Sequence, residues 1–511
     1  MSYIGLDVGT TGCKAVAFDV DGRQLASAYR EYPVLSPQEG WAELDSARVC
    51  ESCLEVIREA ASGCGDDPVR GLGISSQGEA FTPVGPPFDK LRMSGEFLGN
   101  GMVSSDTRAA SIAETWSREF GRERLYRITG HTAHPMFTLF KLLWLRDNRP
   151  DVWTRATAFH CFEDLIHLRL GIEPAMSRPL AGRTMMFDVR NHGWDESILS
   201  AVGLDRSRLP RTLPSGAVVG AIPPGICRDL GVADGAIVVA GGHDQPCGAL
   251  GAGVTQSGMA VYGTGTVECI TPAFSQPVFS EELFANNLCT YDFTIPGMYT
   301  TVAFSLTGGN LLKWFRDEFG QPELDEAAQT GENAYTLLIS HMAREPTGLL
   351  VLPYFTPSGT PHFDIEVKGA ILGLRLTSTR GEILRALLEG IAFEMRLNMD
   401  ILAKSGIGVS GLVAIGGGAR NAVWTQLKAD VLNTPIKTVA VTEAGCLGVA
   451  MLACAADTQE DVRSLAAKWV RVTGEVWPNP SNAAYYESRF PEYLKLYPVI
   501  KGMESRKPVL P

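Results

Sequence analysis

The chain has 511 residues, 45% of them hydrophobic and 20% charged, with a formal net charge of −12. That length exceeds what one hydrophobic core serves, so two large domains with a small appendage are expected. The acidic balance argues against a nucleic-acid-binding surface, and neither a stretch of about 20 apolar residues nor a basic-then-apolar leader is present, so the reading is a cytoplasmic protein with no nucleic-acid or membrane partner.

The chain opens on "IGLDVGTTGCKAVAFDVDG", Ile4 to Gly22: an apolar run ending at Asp7, a Gly/Thr turn, and a second apolar run. Glycines in such a turn let backbone N–H groups converge on an anion, and threonine hydroxyls add donors. Alone, the same turn would equally close an ordinary hairpin. "ARVCESCLEVIREAA" has helical periodicity, which makes Cys50 and Cys53 packing residues; the 11 cysteines of the chain are scattered, as suits reduced thiols. The strand "VRGLGISSQG" stops in the polar cluster Ser75 to Ala80, and "SSDTR" forms a second cluster, Ser104 to Arg108. Both carry the donors and acceptors that a polyhydroxylated ligand needs, and both would also pass for surface loops. His131 and His134 match no zinc spacing and read as loop or core histidines.

"AIVVAGGHDQ" then delivers Asp244 to the start of a small-residue helical stretch. There it is either a helix N-cap or a general base beside a transferable phosphoryl group. The glycine-rich "CGALGAGVTQSG", Cys247 to Gly258, is the expected junction and hinge. Beyond it "GMAVYGTGTVECIT" repeats the strand, Gly/Thr turn, strand device, an internal echo unless two hairpins merely look alike. "TVAFSLTGGNLLKWFRDEFG", "LVAIGGGARNAVWTQLKADVL" and "IKTVAVTEAGCLGVAMLACAA" each read as a strand ending at polar or small residues before a helix. "TRGEILRALLEGIAFEMRLNMDILAKSG" predicts a long helix that stops at Gly406. After Ala455 the pattern weakens, and the Pro-containing tail suffices for one or two helices.

Strands alternating with helices predict an α/β fold, whose ligands gather at the carboxyl ends of the strands. Three glycine-rich strand ends point to a nucleotide cleft. No GxxxxGK[ST] is present, and none of the turns completes GxGxxG, so neither the Walker loop nor a dinucleotide fold accounts for them.

Taken in order, these motifs resemble the FGGY carbohydrate kinases. The resemblance implies two ribonuclease-H-like (actin/hexokinase-type) domains with an ATP cleft between them. They would span 1–246, holding the sugar and first phosphate hairpin, and 247–455, holding the nucleotide, with a helical tail 456–511 packed on the body. It implies ATP and Mg²⁺ as cofactors and a small sugar or polyol as partner, and is compatible with a homodimer. Position by position, Asp244 matches the catalytic base and Asp7 the carboxylate that helps hold Mg²⁺. Thr10, Thr11 and Gly12 match the first phosphate clamp, Lys14 a basic residue near the terminal phosphate, and Thr264 the second clamp. Gly309, Lys313, Gly417 and Asn421 match the nucleotide side, and Gln77, Gly78, Glu79, Asp106, Arg108 and Gln245 the sugar side. Gln245 after the aspartate is similar to glycerol kinases. Where xylulose kinases usually show Met-His-Gly after the first-loop Gln, this chain has Gly78 and Glu79, and Ser104 and Ser105 stand where many members carry an aromatic residue. The serine pair is more similar to kinases for L-xylulose or keto-sugar acids. The implied acceptor is a ketose, polyol or sugar acid, a xylulose-like ketose first among them. A silent sugar sensor and an actin- or chaperone-type ATPase are the alternatives on the same fold.

Overall fold

A computed structural model describes residues 1–89 and 92–504. Residues 90–91 of the first expected domain and 505–511 of the expected tail lie outside the described residues. The first sheet contains β1 (Ser2–Val8), β2 (Gly12–Asp19), β3 (Gln24–Glu31), β4 (Val69–Ser76), β5 (Val218–Ala221) and β6 (Ile237–His243), in the order β5-β6-β4-β1-β2-β3. The second is built on β7 (Met259–Thr264), β8 (Glu268–Phe274), β9 (Ala303–Ser305), β10 (Gly411–Ile415), β11 (Ile436–Val439) and β12 (Val472–Val476). In both sheets an antiparallel hairpin, β1/β2 or β7/β8, is joined along its first strand by a parallel strand, β4 or β10. The echo between the two Gly/Thr turns is therefore one of topology.

Strands buried on both faces read as continuous apolar runs. In β1, Ile4, Leu6 and Val8 share a core with Val49, Cys50, Cys53 and Val56 of α1 (Ser46–Ser62), while Tyr3 faces the other way. Cys50 and Cys53 are thus core residues, and burial pushes the Cys50 thiol up to about 12. Among the described residues no helix is long and apolar enough to cross a membrane.

Two helices join the halves: α2 (Asp244–Gly251) and α3 (Ala444–Thr458). A Cβ on Gly5 would fall 1.8 Å from the Cys446 carbonyl oxygen and one on Gly73 2.2 Å from that of Val449, so α3 lies directly on the first sheet. Gly251 and Gly448 allow the same close approach between α2 and α3, at 1.8 Å from Ala444 O and 2.2 Å from Cys247 O. The expected junction, Cys247 to Gly258, begins inside this crossing. Cys247 to Gly251 are helical, only the following residues to Gly258 turn, and a helix of the second half rests on the sheet of the first.

The predicted long helix is α4 (Arg380–Lys404), opened by a capping box between Thr379 and Glu382 and followed by Gly406 at φ 84°. The tail was expected to be helical. It supplies helices Val462–Trp469, Pro480–Tyr493 and Leu496–Glu504, but also β12, which pairs antiparallel with β11 at the sheet edge. As an edge strand β12 is largely exposed, so no apolar alternation announced it.

Candidate active site

β1, β4 and β6 are parallel neighbours, so their carboxyl ends lie side by side. Asp7 pairs in register with Ser75 on β4, Ser75 with Gly242 on β6, and Asp244 comes two residues later. An irregularity between Val239 and Gly242 shapes the end of β6, where Glu163 Oε1 accepts the Gly241 N–H at 2.7 Å. Asp244 is the first residue of α2; the N-cap position is His243, whose side chain makes no capping hydrogen bond. Asp7 and Asp244, 237 positions apart in the sequence, line one cleft of about 380 Å³. Its other walls are Gln245, the second hairpin from Gly263 to Gly265, Ile415, Gly416, and Thr442 to Cys446 at the start of α3.

The carboxylates differ in their surroundings. Ser75 Oγ donates to Asp7 Oδ1 at 2.7 Å, yet burial and the nearby Glu443 carboxylate raise the Asp7 proton affinity. Asp244 is pushed up to about 7, first by burial and then by Asp7 and Glu79. His243 Nε2 lies 3.1 Å from Asp244 Oδ1 without hydrogen-bond alignment, leaving that oxygen unpartnered. The His243 ring meets Tyr291 Oη through Nδ1 at 2.9 Å, and burial beside Arg183 keeps it neutral.

In the first hairpin, Gly9 N–H donates to Gly12 O at 3.0 Å, and a Cβ on Gly12 would lie 2.5 Å from Tyr29 Oη. Thr11 is exposed, whereas Thr10 Oγ1 donates to Gln77 Oε1 at 3.0 Å. In the second hairpin, Thr264 Oγ1 donates to Ile415 O at 2.9 Å, and Gly309 N–H donates to Gly265 O at 2.9 Å. Gly309 thereby docks the helix Gly309–Phe319 on the turn. Gly417 has open space where a side chain would stand, and Asn421 caps the helix Ala422–Leu432 through Trp424 N–H. Lys14 pairs with Glu443 across the two halves at 2.6 Å. Lys313 is exposed and paired with Asp317 at 2.7 Å, one helical turn along.

Five residues expected on the sugar side are not among those lining this cleft. Gln77 spends its side chain on the first hairpin, donating to Gly9 O at 3.0 Å while accepting from Thr10. Gly78 packs on His243. Glu79, at φ 65°, pairs with the buried Arg183 guanidinium, its Oε1 accepting from Arg183 Nε at 2.6 Å. Asp106 and Arg108 form a buried cluster with Glu43, Arg108 Nη2 lying 2.6 Å from both carboxylates and its guanidinium 3.6 Å from the Trp41 ring centre. Gln245, by contrast, lines the cleft and accepts from Cys269 Sγ at 3.2 Å.

Family models decide the matter. The model for the N-terminal domain of the FGGY family of carbohydrate kinases matches residues 2–251, and that for its C-terminal domain matches residues 258–456. The chain belongs to the FGGY family of carbohydrate kinases. This FGGY kinase is 27% identical to a xylulose kinase from Bacillus subtilis over 99% of this chain and 98% of that protein. It is 31% identical to a glycerol kinase from Methylibium petroleiphilum over 92% of this chain and 94% of that protein. A gluconate kinase structure from Lactobacillus acidophilus superposes with a TM-score of 0.87 at 25% identity, covering 98% of both chains. A xylulose kinase structure from Rhodospirillum rubrum gives 0.89 at 24% identity over 99% of this chain and all of the other, a likeness of fold.

In the FGGY kinase, three residues that sequence reasoning did not name hold these side chains. Arg183 balances Glu79, Glu443 holds Lys14, and Lys141 donates to Val103 O at 2.7 Å beside Glu79. Burial lowers the Lys141 ammonium to about 8, against the opposing pull of Glu79 and Asp106. Glu443 stood in a quoted motif; Arg183 and Lys141 had no local signal, because their partners are remote in sequence.

Proposed function

We propose that this carbohydrate kinase transfers the terminal phosphoryl group of ATP to a hydroxyl of a small neutral sugar or polyol, a xylulose-like ketose first among them. The observation that carries this reading is the meeting of Asp7 and Asp244 in one cleft walled by the second Gly/Thr hairpin. Asp244, with one oxygen unpartnered and a proton affinity near neutrality, accepts the hydroxyl proton as the acceptor oxygen bonds to phosphorus and the bond to ADP breaks. Functionally, 1–246 would hold the acceptor, 247–455 the nucleotide, and 456–511 would brace the body.

Two clustered carboxylates, of which Asp7 raises the proton affinity of Asp244, suit a hard cation, which usually takes one or two carboxylates together with substrate phosphates. Among the described residues no group of three or more His, Cys, Asp or Glu side chains forms a complete metal site. Asp7 would hold Mg²⁺, which would neutralise phosphate charge. Thr10, Thr11, Gly12 and Thr264 would clamp the phosphates, and positioning and electrostatics would supply most of the acceleration.

Charge bookkeeping favours a neutral acceptor over a sugar acid. Arg183 is paired with Glu79, Arg108 with Asp106 and Glu43, and the Lys141 ammonium is ringed by the carbonyls of Glu79, Met102 and Val103. The deciding assay is ADP release from Mg-ATP across ketoses, polyols and sugar acids. Stimulation by a ketose or polyol is expected; a panel with no stimulation above the water-driven rate rejects the kinase reading, and preference for a sugar acid rejects the neutral acceptor.

A further inference from the structure

We propose that His134 and Phe363, one from each half of the molecule, form a recognition wall for the acceptor. The Phe363 ring would pack on a C–H face of the sugar or polyol, while His134 donates its Nε2–H to a hydroxyl. This rests on the kinase reading above and adds specificity residues to it.

The geometry assigns His134 to the acceptor region. It precedes the helix Thr138–Asn148, whose Thr138 hydroxyl donates to Glu79 O at 2.9 Å and whose Lys141 reaches the same carbonyl at 3.4 Å. Three residues on from His134, the Phe137 ring centre lies 5.0 Å from the Arg183 guanidinium, which lies 5.6 Å from the Tyr291 ring centre; Tyr291 Oη in turn meets His243, the neighbour of Asp244. At the far end of that run of contacts from Asp244, His134 would stand apart from the reacting hydroxyl, beside the remainder of the acceptor.

The histidine's protonation follows from its partner. Met136 N–H donates to His134 Nδ1 at 3.2 Å, so Nδ1 carries the lone pair and Nε2 the hydrogen. Burial and the two neighbouring cations lower its pKa to about 4, and the ring is a neutral donor at working pH.

Phe363 comes from the other half and is held at some cost. It sits at φ 48°, a left-handed conformation that non-glycine residues seldom adopt and that clusters at functional sites. The loop fastens it on both sides. Phe363 N–H donates to Gly359 O at 2.9 Å, and Asp364 N–H donates to Ser358 Oγ at 2.7 Å. The Asp364 carboxylate also anchors the Tyr497 hydroxyl at 3.0 Å and the Lys501 ammonium at 2.7 Å. Held this way, the Phe363 ring lies 5.2 Å from that of His134, tilted by 32°, with Phe304 behind it at 5.5 Å. An aromatic face beside a neutral N–H donor matches the alternating C–H and O–H surface of a sugar.

The test is steady-state kinetics on the full chain with Phe363→Leu, His134→Leu and His134→Gln, using the best acceptor of the panel and glycerol. Phe363→Leu and His134→Leu are expected to raise the acceptor KM about tenfold and to narrow the preference for the best acceptor over glycerol, with the ATP KM moving less than twofold. His134→Gln, which keeps a donor, is expected to recover part of the loss; packing alone would give no such rescue. If Phe363→Leu does not fold, the two His134 variants decide. Acceptor KM values equal to wild type, or equal rises in acceptor and ATP KM, overturn the wall while leaving the kinase reading standing. A wild type that no acceptor stimulates overturns both.

Discussion

The two Gly/Thr hairpins share a topology and differ in how their bases are charged. Beneath the second, Glu268 accepts from Tyr262 Oη and from Lys428 Nζ, both at 2.5 Å, and the ammonium lies 4.1 Å from the Trp424 ring centre. That network is buried and internally paired, so the turn is held rigidly with no charge offered to the cleft. At the base of the first, Asp7 has a single neutral hydroxyl from Ser75 as hydrogen-bond partner and faces the carboxylates of Asp244 and Glu443. One hairpin serves as a support. The other leaves negative charge incompletely paired, which costs stability and is justified where a cation and a phosphoryl group are to be handled.

Four changes test that contrast. Asp244→Asn should lower kcat about a thousandfold while ATP affinity stays within a few-fold, measured by ADP release and nucleotide titration; retained transfer would place the base elsewhere. Lys428→Met should leave Glu268 buried without its cation and cost about 3–5 kcal/mol, read by denaturant unfolding. Unchanged stability would remove the support role from the second hairpin. As the proposed base, Asp244 would have to be deprotonated to act, and its pKa is raised to about 7, so kcat/KM should climb with pH through about 7 and fall away below it. An acid limb near 4 would mean that the charge of the first hairpin is paired after all. Lys313→Ala, which breaks only an exposed pair, should shift stability by less than about 0.5 kcal/mol. A severalfold rise in ATP KM would instead bring Lys313 to the nucleotide.

What could be read in advance follows the range over which each interaction acts. Gly12 stood out because it lies in a Gly/Thr turn, although it is Tyr29 and Arg30 of β3 that exclude a side chain there, and Asp244 because a strand end and a helix start flank it in sequence. Gln77, Asp106 and Arg108 occupy polar stretches that look alike whether they face a ligand or each other. Gln77 turned toward Thr10, Asp106 toward the Ala42 N–H and Arg108 toward Glu43, partners remote in sequence. Arg183 and Lys141 gave no local signal for the same reason. The crossing of α2 and α3 gave no sign in the sequence, because the glycines that allow it serve a contact between segments remote along the chain.

Local order of residues alone therefore determined the α/β class, the paired hairpins, the long capped helix and the two carboxylates worth following. Tertiary structure decided which charges are spent and which remain available, where the halves touch, and that His134 meets Phe363. Turns and periodicity arise from neighbours along the chain, whereas pairing and desolvation depend on groups that only the folded sheets and helices bring together.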